Sequence, residues 1–488
     1  MSLNKNIKSN RKVENIDNNQ SKGIAEIKRI LGKHHYSEDK DAMQTYLTDW
    51  RGHYIGQAQL VVFPNNVEKI SKIVKICARE KISIVPQGGN TSMCGGSVPL
   101  KHGTSILLST SRLNKILSLD STNYTMTVEA GCILQHIQKA ALEADRYFPL
   151  SLAAEGSCMI GGNLATNAGG TNVLRYGNAR DLVLGLEIVL PDGRIINELQ
   201  GLRKDNTGYD LKQLFLGSEG TLGIITKAVL KLHPVPKTIK AAYCAVPNIP
   251  AALELLNRAR MESGDCVETF ELISRLVMEL VIKHIPGARD PLDTPYEHYV
   301  LLEIISTKSN DEGLTYKFEH MLEKAMEDGL ILDAALAQTE KQRQAFWALR
   351  ENATESQKLE GASIKHDISI PLSSIPAFYT SAWQAILAVE PRARLLAFGH
   401  AGDGNIHFNV AEPEGGKTSD FMNKWDAINC AVHDSVKKFN GSISAEHGIG
   451  QLKRNELPRY KSDTSLDVMK MIKNTLDPHG IMNPGKVI

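Results

Sequence analysis

Between Phe398 and Asn409 the chain runs F-G-H-A-G-D-G-N-I-H-F-N. Two histidines flanked by Leu395-Leu396-Ala397 on one side and Ile406, Phe408 and Val410 on the other fit two strands joined by a hairpin. Asp403-Gly404 is a two-residue turn pair. With that turn, residue 402 faces 405, 401 faces 406, and His400 faces His407 with Cβ atoms about 5 Å apart. Asn409, two residues on, shares the face of His407. Farther along, A-E-H-G-I-G sets a carboxylate, Glu446, beside an imidazole, His447. Two imidazoles and one carboxylate leave coordination positions open, as a catalytic divalent-metal site requires. Any one of these histidines alone would ordinarily be an incidental polar residue; the set together argues for a metal.

A second kind of chemistry is written in glycine. Residues 86–97 read P-Q-G-G-N-T-S-M-C-G-G-S, four glycines in twelve positions. That density costs backbone entropy, and it fits a loop whose N–H groups must approach a ligand closely, most often phosphate. Residues 153–172 form another small-residue tract, and G-S-E-G-T-L-G-I-I-T a third. None is a G-x-G-x-x-G or Walker A loop. A-E-P-E-G-G-K-T, residues 411–418, ends like a Walker A motif, but Ala411 replaces its first glycine and Glu412, Pro413 and Glu414 stand where phosphates would lie. It is read as a plain loop.

These residues need a scaffold. Residues 1 to about 22 are polar and Lys/Asn-rich and are expected to be disordered. An arm over 23–54 starts with a short helix from Ile24 to Leu31. Leu60 to Phe63 reads as a strand, and Ile70, Ile73, Val74 and Cys77 mark one face of a helix with Asn65 and Glu68 as its capping pair. Ile82 to Val85 is the next strand, giving an α/β opening. Residues 104–135 alternate as half-buried strands, and Leu182 to Val189 forms a hairpin with Ile195-Ile196. After Pro234-Val235-Pro236 glycine thins and Glu, Met, Leu and Lys become frequent, which places a domain boundary at 235. Helices are expected at about 250–263, 270–284, 315–328, 338–358, 374–388, 418–438 and 464–475, with strands between them.

Bulk properties narrow the class. A chain of 488 residues with 42% hydrophobic and 23% charged residues fits a globular protein of roughly two to four domains. A net charge of +1 with no basic block argues against nucleic acid as a partner, and no run is long and apolar enough for a transmembrane helix. The N-terminus lacks a signal-peptide apolar region. A mitochondrial transit peptide would carry more Arg and would avoid Glu14 and Asp17, so a cytoplasmic location is expected. Seven scattered cysteines without C-x-x-C spacing suit reduced thiols.

Taken together, P-Q-G-G-N-T-S-M-C-G-G-S-V-P, G-G-N-L-A-T-N-A-G-G, R-K-D-N-T-G-Y-D-L-K-Q-L-F-L-G-S-E-G-T-L-G-I-I-T, G-H-A-G-D-G-N-I-H, S-A-E-H-G-I-G and D-P-H-G-I-M-N-P-G-K resemble the FAD-linked D-2-hydroxy-acid dehydrogenases, flavoenzymes of the p-cresol methylhydroxylase type of fold. The resemblance spans roughly residues 45 to 488. It implies an α+β protein with a two-lobed FAD-binding domain over 55–235. A ferredoxin-like FAD-linked oxidase C-terminal domain would follow over 236–488, its sheet covering the flavin. The implied reaction is oxidation of a D-2-hydroxy acid to the 2-oxo acid with hydride transfer to flavin N5. D-2-hydroxyglutarate is the leading substrate, and D-lactate and glycolate are the alternatives. A non-catalytic flavoprotein subunit would lack the metal and base residues kept here, and a metallohydrolase would leave the three glycine tracts unexplained.

The resemblance also assigns residues. FAD would lie against Pro86, Gln87, Gly88, Gly89, Asn90, Thr91, Gly95, Gly96 and Ser97, against Gly156, Ser157, Gly161, Gly162, Asn163, Thr166, Asn167 and Gly169, and against Gly223, Ile224 and Asn483. Flavin-tethering members of the wider fold carry His where this chain has Asn90, so FAD is expected to be non-covalent. His400, His407 and Glu446 match the metal ligands, with Zn²⁺ the best fit and Mn²⁺ or Co²⁺ admissible. His447 matches the base, and Arg350, Thr354, Lys365 and Asn409 match substrate-holding positions. His366 departs from the pattern, which more often has Tyr there. An electron-transfer flavoprotein or quinone as acceptor and a homodimer are further implications.

Overall fold

The computed structural model describes residues 19–488. The expected disordered tail lies largely outside that span, and residues 19–22 already belong to a helix that runs over 19–31. Three sheets carry the fold.

The first sheet has four strands. Ser105–Ser109 lies between Leu60–Val62 and Ser83–Gln87, parallel to both, and the two-residue strand Tyr36–Ser37 closes one edge. The helix Val67–Glu80 is the crossover that carries the chain from Leu60–Val62 past the central strand to Ser83–Gln87. It starts at Asn66, whose side chain accepts the Lys69 N–H, one residue later than the sequence suggests, and it ends at Lys81 with φ 54°. Ile70, Ile73, Val74 and Cys77 are all buried against the sheet. The C-terminus returns here: Ile84 bridges to Met482, and Ile481 and Met482 join the same core.

A second, antiparallel sheet of five strands runs in the order Ile116–Asp120, Thr125–Glu129, Ile224–Lys231, Val183–Val189, Ile195–Glu198. The predicted hairpin forms its last pair, with Val189 opposite Ile195.

The third sheet begins with Thr238–Val246, Val267–Ser274, His298–Ser306 and Asp333–Leu336, arranged spatially as fourth, first, third, second. Helices Ile249–Ser263 and Glu312–Glu327 each carry the chain past one intervening strand, the first from Thr238–Val246 to Val267–Ser274 and the second from His298–Ser306 to Asp333–Leu336, which is the ferredoxin-like arrangement. Alternation is clean in the first strand. Ala242, Cys244 and Val246 enter one core, and Ala241, Tyr243 and Ala245 enter the other. Both faces are therefore covered, one by helices that include Ile375–Val389 and Trp425–Lys438, the other by Arg275–His284 and Glu340–Glu351. Residues 270–274, expected to be helical, belong to the strand Val267–Ser274. The helix expected over 338–358 divides into Glu340–Glu351 and Ala353–Glu360. Arg394–Gly399, Asn405–Ala411 and Ser363–Ile364 extend this sheet, with Asp367–Ser369 also paired to Asn405–Ala411. That extension carries the histidines.

All seven cysteines are free, five of them buried. No helix among the described residues is long and apolar enough to cross a membrane. In the 411–418 loop, Glu412 takes the Ala362 N–H and the Thr418 hydroxyl, so a carboxylate fills the Walker-like turn.

Candidate active site

The histidine hairpin forms, but two residues out of the expected register. Phe398, rather than His400, faces His407. The first strand stops at Gly399, where φ is 144°, a value that favours glycine. Residues 400–404 then make a longer turn. Asp403 N–H donates to the His400 carbonyl at 3.2 Å, and Gly402 N–H ties the turn to the Phe270 carbonyl at 3.2 Å. His400 thus sits in the turn, and its ring still lies 5.7 Å from that of His407, centroid to centroid.

Glu446 completes the group. Its Oε1 is 3.6 Å from His400 Nε2, and one ligand atom each from His400, His407 and Glu446 lie within 4.8 Å of one another. Gly169 makes room for it: a Cβ there would stand 2.7 Å from Glu446 Oε1. Behind His400 stands Glu271, fully buried, which accepts from His400 Nδ1 and from Arg350 Nε. A carboxylate behind a histidine fixes which nitrogen faces a metal. Burial alone would raise the Glu271 carboxyl, yet Arg350 and His400 hold it down at about 2. Burial raises Glu446 to about 7, with His400 opposing the rise. Burial also works against charge on His400, but Glu271 and Glu446 outweigh it and lift that imidazole to about 9. Burial drives His407 well below its ordinary range. A divalent cation would satisfy these competing demands at once, keeping both imidazoles neutral and Glu446 ionised. The residues therefore fit a metal.

A second triad, Asp367, Glu446 and His447, is equally compact, but Asp367 is committed elsewhere. Its Oδ2 accepts the N–H groups of both Glu446 and His447 at 2.9 Å and lies 3.3 Å from His447 Nδ1, while Oδ1 accepts from Asn405 at 2.9 Å. Burial opposes its ionisation, and His447, Lys453 and His407 overcome that and hold it well below the usual carboxylate range. Asp367 bends the chain so that neighbouring Glu446 and His447 both reach one cavity. Gly448 and Gly450, with φ of 74° and 52°, complete the turn. Glu219 of the third glycine tract locks it from the other side, accepting from the N–H groups of Ile449 at 2.7 Å and Gly450 at 2.8 Å.

One cavity of about 1510 Å³ is lined by His400, His407, Glu446, His447, Asp367 and Glu219 together. Among the residues expected to hold FAD, Pro86 to Thr91, Gly96, Ser97, Gly156, Ser157, Gly161 to Asn163, Thr166, Gly169, Gly223 and Ile224 line it. Three do not. Gly95 packs on the Tyr54 ring, Asn167 caps the Arg180 N–H, and Asn483 donates to the carbonyls of Gly96 at 3.0 Å and Glu219 at 2.7 Å. These three shape the loops from behind. The glycines themselves fit a cofactor cradle. A Cβ on Gly89 would meet the Ser157 carbonyl oxygen at 2.2 Å, so the first two tracts touch backbone to backbone. Gly162, by contrast, borders the cavity with nothing within 4 Å of its would-be Cβ, and buried Asn163 Oδ1 has no partner. An extended polar cofactor would occupy that space.

Arg350, Thr354, Lys365 and Asn409 line the same cavity. Two of them are not free. Arg350 is paired with Glu271, and the Asn409 amide accepts the His366 N–H at 3.0 Å and donates to Gln357 at 2.9 Å. The His366 ring meets the Phe408 carbonyl and packs edge-on to His433 at 5.5 Å. Glu271, Asp367 and Glu219 escaped the sequence reading. Only Glu271 left a trace, as a charge inside the apolar run V-E-T-F-E-L-I-S.

Glycine-loop cradle, carboxylate-backed histidines and a covering antiparallel sheet define a flavin-dependent oxidoreductase. Residues 235–487 match the family described as FAD linked oxidases, C-terminal domain, and residues 58–198 match FAD binding domain. The chain belongs to the FAD-linked oxidase family. It is 38% identical over 469 residues to D-2-hydroxyglutarate dehydrogenase, mitochondrial, of Arabidopsis thaliana, covering 96% of this chain and 82% of that one. The protein of the same name from Rattus norvegicus is 37% identical over 453 residues, 92% of this chain and 82% of its own. Crystalline p-cresol methylhydroxylase with substrate bound superposes with a TM-score of 0.76 at 16% identity, covering 96% of this chain and 97% of that one, which shows the shared fold. The expected cytoplasmic location is corrected by these relatives: their names say mitochondrial, pointing to that compartment instead.

Proposed function

We propose that this chain oxidises a D-2-hydroxy acid, D-2-hydroxyglutarate first among them, to the 2-oxo acid, with His447 as the base. The observation that carries the proposal is the Asp367–His447 pair placed against the His400, His407 and Glu446 cluster in the cavity that the glycine tracts line. Asp367 beside Nδ1 favours the tautomer with its proton there and leaves Nε2 able to accept one. Burial lowers the His447 imidazole, with Asp367 opposing and Lys453, Arg51 and Lys365 reinforcing, so the ring is neutral and ready at physiological pH. A divalent ion held by His400, His407 and Glu446 would acidify the hydroxyl next to it. FAD, held non-covalently, supplies the hydride acceptor. Glu271 keeps His400 oriented, and Glu219 and Asp367 keep the 446–450 turn in place.

The Asn90 amide supports a non-covalent cofactor. Its nitrogen donates to the Thr48 carbonyl at 2.8 Å and its oxygen accepts the Ser97 hydroxyl at 2.8 Å. The test compares kcat/KM for D-2-hydroxyglutarate, D-malate and D-lactate. D-2-hydroxyglutarate should lead; D-lactate in the lead would make this a monocarboxylate dehydrogenase.

A further inference from the structure

Five lysine and arginine side chains line the cavity: Arg51, Arg343, Arg350, Lys365 and Lys453. Arg343 pairs with Glu303, Arg350 pairs with Glu271, and the Lys453 ammonium donates to the Ile443 carbonyl at 2.7 Å. Arg51 and Lys365 differ. Among the described residues neither side chain has an ion pair or a hydrogen bond, and Arg51 Nη2 is buried without a partner.

Arg51 is held where it is by its own turn. Gly52 N–H donates to the Asp49 carbonyl at 2.9 Å, and Tyr54 N–H donates to Asp49 Oδ1 at 2.6 Å. Thr48 bridges to Ile55, and the Asn90 amide fastens the Thr48 carbonyl to the first glycine tract. The guanidinium lies over the Trp50 ring at 5.3 Å. Asp49, although close in sequence, makes no ion pair with it. Burial, reinforced by the Arg51 charge, pushes the Lys365 ammonium down to about 8. Two cations that repel each other and form no ion pair are costly to keep half-buried. An anion between them removes that cost. Lys365 lies two residues before Asp367, which stands 3.3 Å from His447 Nδ1; the turn that carries Arg51 packs its Tyr54 ring on Gly95, and the adjoining Cys94 donates to the Gly448 carbonyl at 3.5 Å. Both cations therefore line the cavity beside His447, and that anion belongs to a molecule at the base.

We propose that Arg51 joins Lys365, already matched to a substrate-holding position by the family resemblance, in receiving the second carboxylate of a dicarboxylic 2-hydroxy acid, and that Arg51 is the residue that separates dicarboxylic from monocarboxylic substrates. This deepens the proposed function and rests on its placing of His447 at the reacting carbon. Arg350, already neutralised by Glu271, cannot supply the same discrimination.

The test uses FAD-loaded Arg51→Met beside wild type. Losing a charge-assisted contact should cost the dicarboxylate about 10- to 100-fold in kcat/KM, mainly through KM. The fall for D-2-hydroxyglutarate should exceed that for D-lactate at least tenfold. Affinity for glutarate, a dicarboxylate with no hydroxyl, read from perturbation of the flavin spectrum, should fall by a similar factor. Arg51→Lys should recover part of both losses, with FAD content retained throughout. Equal losses for both substrates, unchanged glutarate affinity, or loss of FAD from Arg51→Met would each overturn the assignment. A wild type that binds glutarate through Arg51 yet oxidises no 2-hydroxy acid would instead refute the proposed function and leave the receptor standing.

Discussion

Glu271→Gln tests whether the carboxylate behind His400 orients it. The side chain is fully buried and holds two partners, Arg350 Nε and His400 Nδ1. Glutamine keeps the shape and one acceptor but removes the charge. Arg350, only 8% exposed, would keep the Phe398 ring at 4.8 Å as its remaining neighbour of note. Breaking a buried pair in this way costs about 3–5 kcal/mol of stability, and the retained acceptor argues for the lower end. Loss of the group that orients a metal-binding histidine weakens metal binding about 10- to 100-fold. The assay is a chelator-competition titration of the metal, beside flavin absorbance and a denaturant midpoint. Glu303→Gln is the control, because Glu303 is buried on the same sheet and holds Arg343 and Trp347 without touching the histidines. It should destabilise the protein and leave metal affinity alone. Metal affinity within twofold of wild type in Glu271→Gln, or an equal loss in both variants, would refute the reasoning.

Gly169→Ala places a methyl group 2.7 Å from Glu446 Oε1, so metal affinity should drop while FAD, held by the neighbouring glycines, stays; metal content and flavin absorbance together decide. Lys365 has its ordinary 10.5 lowered to about 8, so it is charged below that pH and neutral above. KM for a dicarboxylic substrate should therefore climb as pH rises through about 8, and Lys365→Met should raise KM at neutral pH and flatten the climb. The same pH dependence in both enzymes would remove Lys365 from substrate binding. Acid precipitation should release all of the flavin as free FAD; yellow colour left in the pellet would contradict the reading of Asn90.

The glycine tracts and the His, Glu and Asp-Gly signals were legible because each is a departure from ordinary composition with one dominant physical cause. Periodicities such as Ile70, Ile73, Val74 and Cys77 marked individual elements of the α/β opening, and the two-domain fold was implied by the family resemblance that these tracts carry. The misses share a different origin. Residues 270–274 sit in a largely apolar stretch, broken by Glu271, that periodicity alone cannot divide between strand and helix, and pairing with Leu302 to His298 decided it. The hairpin slipped by two residues because Gly399 ends the strand early, against a strong local turn signal at Asp403-Gly404. Glu219, Asp367 and Glu271 act as single carboxylates on partners 38 to 231 positions away, and no spacing rule encodes such a pairing. Arg51 stood in what looked like an undistinguished arm, and only the cavity wall made it matter.

The central claim, that His447 removes the hydroxyl proton beside a metal while a flavin takes the hydride, is tested most directly by anaerobic stopped-flow reduction of the enzyme's flavin with D-2-hydroxyglutarate. Wild type should bleach and form one 2-oxoglutarate per flavin. His447→Asn, with FAD and metal contents near wild type, should bleach about 10²- to 10⁴-fold more slowly. Bleaching of His447→Asn within about threefold of wild type, where reduction is the observed step, or a wild type whose flavin no D-2-hydroxy acid reduces although dithionite does, would contradict it.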